Sequence, residues 1–404
     1  MNLSELRAEF PVLRERAYLF SGGLAPLAEP VRAAHEAMLG RWQDDPAELY
    51  ATLGEPWQAG RAAFAAVLGA HPDEIALTDG TSRGSNLAVQ MLDVKPGQNV
   101  VCDDSTYWSS AVPWRLRARA GTGVRRVRAR ADARVHLDDL AAAIDDRTAV
   151  VSITHVSFRT GVRHDLAAVA ELAHAKGALL VVDLAQAAGA LAIDLPALGV
   201  DIASGLAMKW LLGSPGVGFL FVRRGLIEQL EPAQVGYASL TNLWDDEVFD
   251  SPRFHATASR YELAIPDLAA VAASAAGVGM LLAAGLGAVE ERVLDLSGRC
   301  LDGLLARGAS PFTPTAPELR AGVVAVPVAD ATAIVAGLRT RGVDVWCDPA
   351  GTLLRIDPHA FNTTDDVDRA LATLDDLAKE AGRSLLRASA GYGYPRSLAS
   401  PGET

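Results

Sequence analysis

Residues Leu179–Arg223, LLVVDLAQAAGALAIDLPALGVDIASGLAMKWLLGSPGVGFLFVRR, constrain this chain more than any other stretch. Three short apolar runs follow one another closely, each bounded by a polar or Gly/Pro break. Leu179-Leu180-Val181-Val182 ends in Asp183, as a buried parallel strand ends by presenting a polar side chain at its carboxyl edge. A second run, around Val200 to Ala203, leads to Lys209, which stands among Leu206, Ala207, Met208, Trp210, Leu211 and Leu212. A third strand, Val217 to Val222, follows the turn Gly213-Ser214-Pro215-Gly216. Strands alternating with helices from 74 to 222 predict an α/β chain built on a doubly wound, mainly parallel sheet.

A lysine in an apolar run is costly unless it is paired or chemically used, because burial disfavours the ammonium. The chain has four lysines: Lys95 in a turn, Lys176 just before Gly177, Lys379 in a polar helix, and Lys209. Only Lys209 has surroundings that would depress its basicity, as a Schiff-base lysine requires. On its own it reads equally well as a lysine with a packed stem and a solvated head. Asp183, 26 residues earlier, tips the balance toward pyridoxal phosphate (PLP). A carboxylate on the pyridine nitrogen keeps that ring protonated and able to accept electrons. Gly80-Thr81-Ser82, opening a helix after the strand Glu74 to Thr78, offers free N–H groups, hydroxyls and a positive dipole end to a phosphate. An ordinary helix cap would look the same.

The run DLAQAAG, the MKWL around Lys209 and GVGFLFV together resemble the class V aminotransferase, cysteine desulfurase and kynureninase-like superfamily of fold-type I PLP enzymes, from roughly Leu6 to Leu374. The resemblance implies an N-terminal arm over 1–30, a large PLP-binding domain over 31–285, a small C-terminal α+β domain over 286–384 and a mobile tail over 385–404. It makes Gly80, Thr81 and Ser82 the phosphate cup, and Tyr107 the ring stacked on the cofactor, with Trp108 as its rival. Phe158 stands where desulfurases carry Asn and kynureninases Phe or Tyr. Gln186 matches a position that hydrogen-bonds the phenolic oxygen, and Met208 replaces a phosphate-contacting His or Tyr. A homodimer with shared active sites is implied, in which Tyr237 and Thr257 (or Ser259) reach the neighbour's phosphate. Arg355 becomes the grip on the substrate carboxylate, a task suited to its planar fork.

The same resemblance narrows the reaction. Cys347 ends a strand before Asp348-Pro349, as in kynureninases, where that cysteine is not the nucleophile, so desulfurase chemistry is disfavoured. Gln186 and Met208 depart from the kynureninase pattern. A β-eliminating C–S lyase acting on a cysteine S-conjugate is the leading expectation. Transamination, epimerisation, decarboxylation-coupled deamination and kynureninase-like hydrolysis would use the same residues. An inactive PLP-fold scaffold is the non-enzyme alternative, and the presence of Lys209, Asp183 and Arg355 speaks against it.

A net charge of 37 − 49 = −12 argues against a nucleic-acid partner. Three scattered cysteines, Cys102, Cys300 and Cys347, predict neither a metal site nor disulfides and point to the cytoplasm. The opening MNLSELRAEF carries acids and no apolar run, so no secretory leader is expected. Leu268 to Val289 holds 22 residues without a charge, but its Ala/Gly-rich composition predicts a buried helix rather than a membrane span.

Overall fold

The structure is a computed structural model that describes residues 1–118 and 121–386; the predicted tail over 385–404 lies almost wholly outside the described residues. A seven-stranded sheet forms its centre: β1 (Ile75–Thr78), β2 (Asn99–Asp103), β3 (Gly123–Val127), β4 (Thr148–Thr154), β5 (Leu179–Asp183), β6 (Ile202–Leu206) and β7 (Gly218–Val222), in the order β1-β7-β6-β5-β4-β2-β3. The inner strands are apolar on both faces because helices cover both sides, so their sequences read as unbroken Val/Ile/Leu runs. Only β7 runs against its neighbours. Its connection from β6 is the short loop carrying Lys209, too short to hold the crossover helix that a parallel return needs.

Helix α1 (Thr81–Met91) follows β1, and α2 (Trp108–Arg117) follows β2. The uncharged stretch predicted as one helix is two: α3 (Leu268–Ala284) and α4 (Leu286–Ala306) meet at Gly285, whose φ of 85° only glycine adopts readily, and the axes bend by 85°. The apolar side chains of α3 are mostly buried. Among the described residues no single helix is long and apolar enough to cross a membrane. The N-terminal segment forms a short helix, Leu3–Ala8, and a 3-10 turn, Pro11–Arg14, with Pro11 at the break.

A second core gathers β8 (Val324–Pro327), β9 (Trp346–Cys347) and β10 (Leu353–Ile356), an antiparallel sheet in the order β9-β10-β8, against α4 and α5 (Thr364–Glu380). The N-terminal segment crosses into this core: Ala17 and Tyr18 pair with Val343 and Asp344, and Phe20 bridges to Asp357. Residues 343–347 therefore form two short strand pieces serving different partners. This crossing brings Gly22 and Arg355 to the carboxyl edge of the large sheet.

Candidate active site

The parallel strands end around one cavity of about 510 Å³, whose walls include Gly22, Gly80, Thr81, Ser82, Tyr107, Phe158, Asp183, Gln186, Lys209, Trp346 and Arg355. A cavity at the carboxyl edge is where an open α/β sheet places its ligands.

Lys209 sits on a tightly folded loop. Leu212 N–H donates to the Lys209 carbonyl at 3.1 Å, Gly213 N–H to Ala207 at 2.9 Å and Ala25 N–H to Met208 at 2.8 Å. Leu212 takes a left-handed φ of 59°, an unusual conformation for leucine, held here by burial on all sides. A Cβ at Gly189 would lie 2.3 Å from the Trp210 carbonyl, so only glycine lets that loop pass. Burial pulls the Lys209 ammonium down to about 8, the positive Arg355 adds to this, and Asp183 and Asp357 oppose it. Near neutral pH a usable fraction of this amine is uncharged, as imine chemistry requires.

Asp183 is buried at the end of β5. Its Oδ2 accepts from Ser110 Oγ at 2.6 Å and its Oδ1 from Ala185 N–H at 2.9 Å. Burial raises its carboxyl, and the Ser110 hydrogen bond works against that rise. Gly80, with φ 145°, caps α1, and Gly80, Thr81 and Ser82 of this helix start line the cavity. Thr81 Oγ1 is buried and has no partner among the described residues. A buried hydroxyl left without a partner at a helix N-terminus is what a phosphate oxygen would satisfy.

Gln186 is held at both ends: its Nε2 donates to the Gly22 carbonyl at 2.9 Å and its Oε1 accepts from Trp210 Nε1 at 2.8 Å. One N–H remains on Nε2. Tyr107 lines the cavity and meets Phe158 edge-on, with ring centroids 4.9 Å apart. Trp108 instead packs against Phe158 and beneath the Arg159 guanidinium, outside the cavity wall. Arg355, on β10, donates from Nη1 to the Phe158 carbonyl at 2.9 Å and pairs with Asp357.

Two predicted residues lie elsewhere. Tyr237 accepts from Ile265 N–H at 2.7 Å, and Thr257 caps the turn Ala258–Tyr261; neither reaches the cavity of its own chain. Sequence reasoning passed over Ser110 and Asp357. For Asp357 a signal existed, since residues two apart on a strand share a face and Arg355 had been singled out.

An unpartnered hydroxyl at a helix N-terminus, a buried carboxylate and a lysine of lowered basicity share this cavity, and they fit pyridoxal phosphate. Thr81, Ser82 and the first turn of α1 would hold the phosphate, Asp183 the ring nitrogen and Lys209 the aldehyde carbon.

Residues 17–346 match the family described as aminotransferase class-V. The chain belongs to this family. It is 30% identical over 338 residues to isopenicillin N epimerase of Streptomyces clavuligerus, covering 80% of this chain and 85% of that one. Its fold matches a cysteine desulfurase from Thermococcus onnurineus with a TM-score of 0.85 at 23% identity, over 93% and 98% of the two chains. It also matches the cystine C–S lyase C-DES, whose complex holds cysteine persulfide, with a TM-score of 0.83 at 23% identity over 91% and 99%. The class V assignment agrees with the resemblance read from the sequence, as does the α/β fold with a mainly parallel central sheet. The chain is a PLP-dependent class V enzyme.

Proposed function

We propose that this enzyme is a β-eliminating C–S lyase acting on a cysteine S-conjugate, taking up one water and releasing a thiol, pyruvate and ammonia. The observation that carries this reading is the position of the cysteines. Neither Cys102 nor Cys300 approaches the cavity wall; both are buried in the cores. On β9 the two neighbours alternate: Trp346 lines the cavity, while Cys347 packs against the small-domain core and meets Thr332. Burial raises the Cys347 thiol, the reverse of what a sulfur nucleophile needs. Without a cysteine to take up sulfur, the sulfur leaves with its own substituent.

When bound, PLP supplies the electron sink that makes the α-proton acidic. Arg355 holds the substrate carboxylate, with Trp346 and Gly22 closing the sides of that grip. Lys209 Nζ, once free of the cofactor, takes the α-proton. Asp183 keeps the ring nitrogen protonated. Tyr107 and Phe158 wall off the side-chain end, where the thiolate departs and picks up a proton. Tyr237 and Thr257, remote from their own cavity, fit a homodimer in which each chain completes its neighbour's site.

A second reading, epimerisation at the same carbon, is supported by the isopenicillin N epimerase relative. One experiment separates the two. The PLP-loaded enzyme is given S-substituted L-cysteines in deuterated water without a keto acid. Pyruvate, ammonia and free thiol support the lyase reading. Deuterium at Cα with loss of chirality and no pyruvate would make the enzyme an epimerase. Alanine would indicate desulfurase chemistry, and turnover only after a keto acid is added would indicate transamination.

A further inference from the structure

Arg355 lies on β10 and Asp357 just after its end, with 3% and 0% of their surface exposed. The guanidinium is gripped on three sides. Its Nε donates to Asp357 Oδ1 at 3.3 Å, and its Nη2 donates to Asp357 Oδ2. Nη1 donates to the Phe158 carbonyl at 2.9 Å. One face of the group lies over the Trp346 ring, 4.9 Å from its centroid. Gly22 packs closely along one flank: a Cβ there would lie 2.3 Å from Arg355 Nη2 and 2.6 Å from Asp357 Oδ2. The N-terminal segment thus packs beside a buried ion pair whose arginine still lines the cavity, and Gly22 N–H faces the Asp357 carboxylate.

An arginine has five N–H donors. Three are committed here among the described residues, which leaves one on each terminal nitrogen. That remainder is a single two-pronged edge, sized for the two oxygens of one carboxylate. Asp357 also cancels the positive charge that an unpaired arginine would bring. An incoming anion gains two directional hydrogen bonds but little net Coulombic attraction, and a second negative charge on it would face Asp357 without compensation.

We propose that Asp357 is a positioning and specificity residue: it leaves Arg355 one two-pronged edge and removes its net charge, so that the pocket accepts planar monoanionic carboxylates and rejects phosphonates. The proposal rests on the reading of the pocket as an α-amino-acid site and adds the means by which that site selects its anion.

The test needs no turnover. PLP-saturated enzyme, with its phosphate cup filled, is titrated with acetate and with methylphosphonate at constant ionic strength, following the visible absorbance of the cofactor. Wild type is expected to bind acetate at least tenfold more tightly than methylphosphonate. In Asp357→Asn and Asp357→Ser the preference is expected to fall at least tenfold, chiefly because methylphosphonate binds better to the unneutralised arginine. A wild-type preference below threefold overturns the proposal without recourse to any variant, as does a preference retained in either variant that still holds PLP. Neither probe is a substrate for elimination. Failure to form pyruvate from S-conjugates would therefore count against the lyase reading and leave this measurement standing.

Discussion

Ser110 donates its only hydroxyl proton to Asp183 at 2.6 Å. A carboxylate can only accept, so the Ser110 oxygen must in turn accept from Ser85 at 2.8 Å, and Ser85 from Ser204 at 2.9 Å. Three buried hydroxyls therefore align toward the Asp183 carboxylate. A hydrogen bond to a charged group is worth about 1.5–3 kcal/mol. Ser110→Ala is expected to let the Asp183 carboxyl rise further and to cut kcat by roughly tenfold to a hundredfold, with weaker PLP binding to the apoprotein. Ser204→Ala, two links away, should do much less. Equal effects from the two would mean that the chain only fills space.

Lys209 provides a pH signature. Its amine loses its proton at about 8 instead of 10.5. The rate at which apoprotein takes up PLP into covalent linkage should rise with pH and level off above about 8, whereas an ordinary lysine would keep gaining. Stability has a definite sign too. Between about 8 and 10.5 the unfolded lysine holds a proton that the folded one lacks, so raising the pH through this window relieves the cost of burial. Lys209→Met apoprotein should be the more stable form at pH 7, with the gap to wild type closing toward pH 10.5 in paired denaturant melts. A gap that ignores pH would show that Lys209 keeps an ordinary basicity.

Lys209 and Asp183 were legible in the sequence because each is a charge placed against an apolar run, a conflict visible within ten residues. Thr81 was legible from its place at a strand-to-helix turn, although its unpartnered hydroxyl emerged only in three dimensions. Arg355 could be named, but its pairing with Asp357 could not be weighed without Gly22 and Trp346, which arrive from the N-terminal segment and from β9. Ser110 and Ser204 are ordinary helix and strand residues until folding stacks them beside Asp183. The reversal of β7 depended on loop length, and the break at Gly285 on a single left-handed residue inside an otherwise helical pattern. Local chemistry showed in the sequence, whereas contacts between segments hundreds of residues apart did not.

Cys347 separates lyase from desulfurase. Its thiol is half-buried against the small domain and raised by that burial. Cys347→Ala is expected to keep kcat/KM for S-conjugates within about twofold of wild type, because the change removes only a few partly packed atoms. Alkylation of the wild type should be slow and should not track loss of activity. Inactivation in step with labelling at Cys347 would put sulfur chemistry back in this pocket.

An ion pair outside the cavity holds β1, the strand that leads to Gly80 and Thr81. Glu262 is buried beside β1, where its Oε1 accepts from Leu77 N–H at 2.7 Å and from Arg61 Nε at 3.0 Å, while its Oε2 pairs with Arg61 Nη2. Burial raises the Glu262 carboxyl, and Arg61 holds it down. Removing one partner of a buried pair typically costs about 3–5 kcal/mol, because it strands the other charge. Arg61→Ala should therefore lower Tm sharply and loosen β1, with PLP affinity falling as Gly80 and Thr81 shift. The stranded carboxyl can escape by taking up a proton, so the deficit against wild type should shrink as the pH falls. Arg61→Ala/Glu262→Gln should recover most of the loss, because the neutral amide still accepts from Leu77 and leaves no charge buried. A deficit that is independent of pH and unrescued by the second change would trace the damage to lost packing of the Arg61 guanidinium on Trp57, over whose ring it lies.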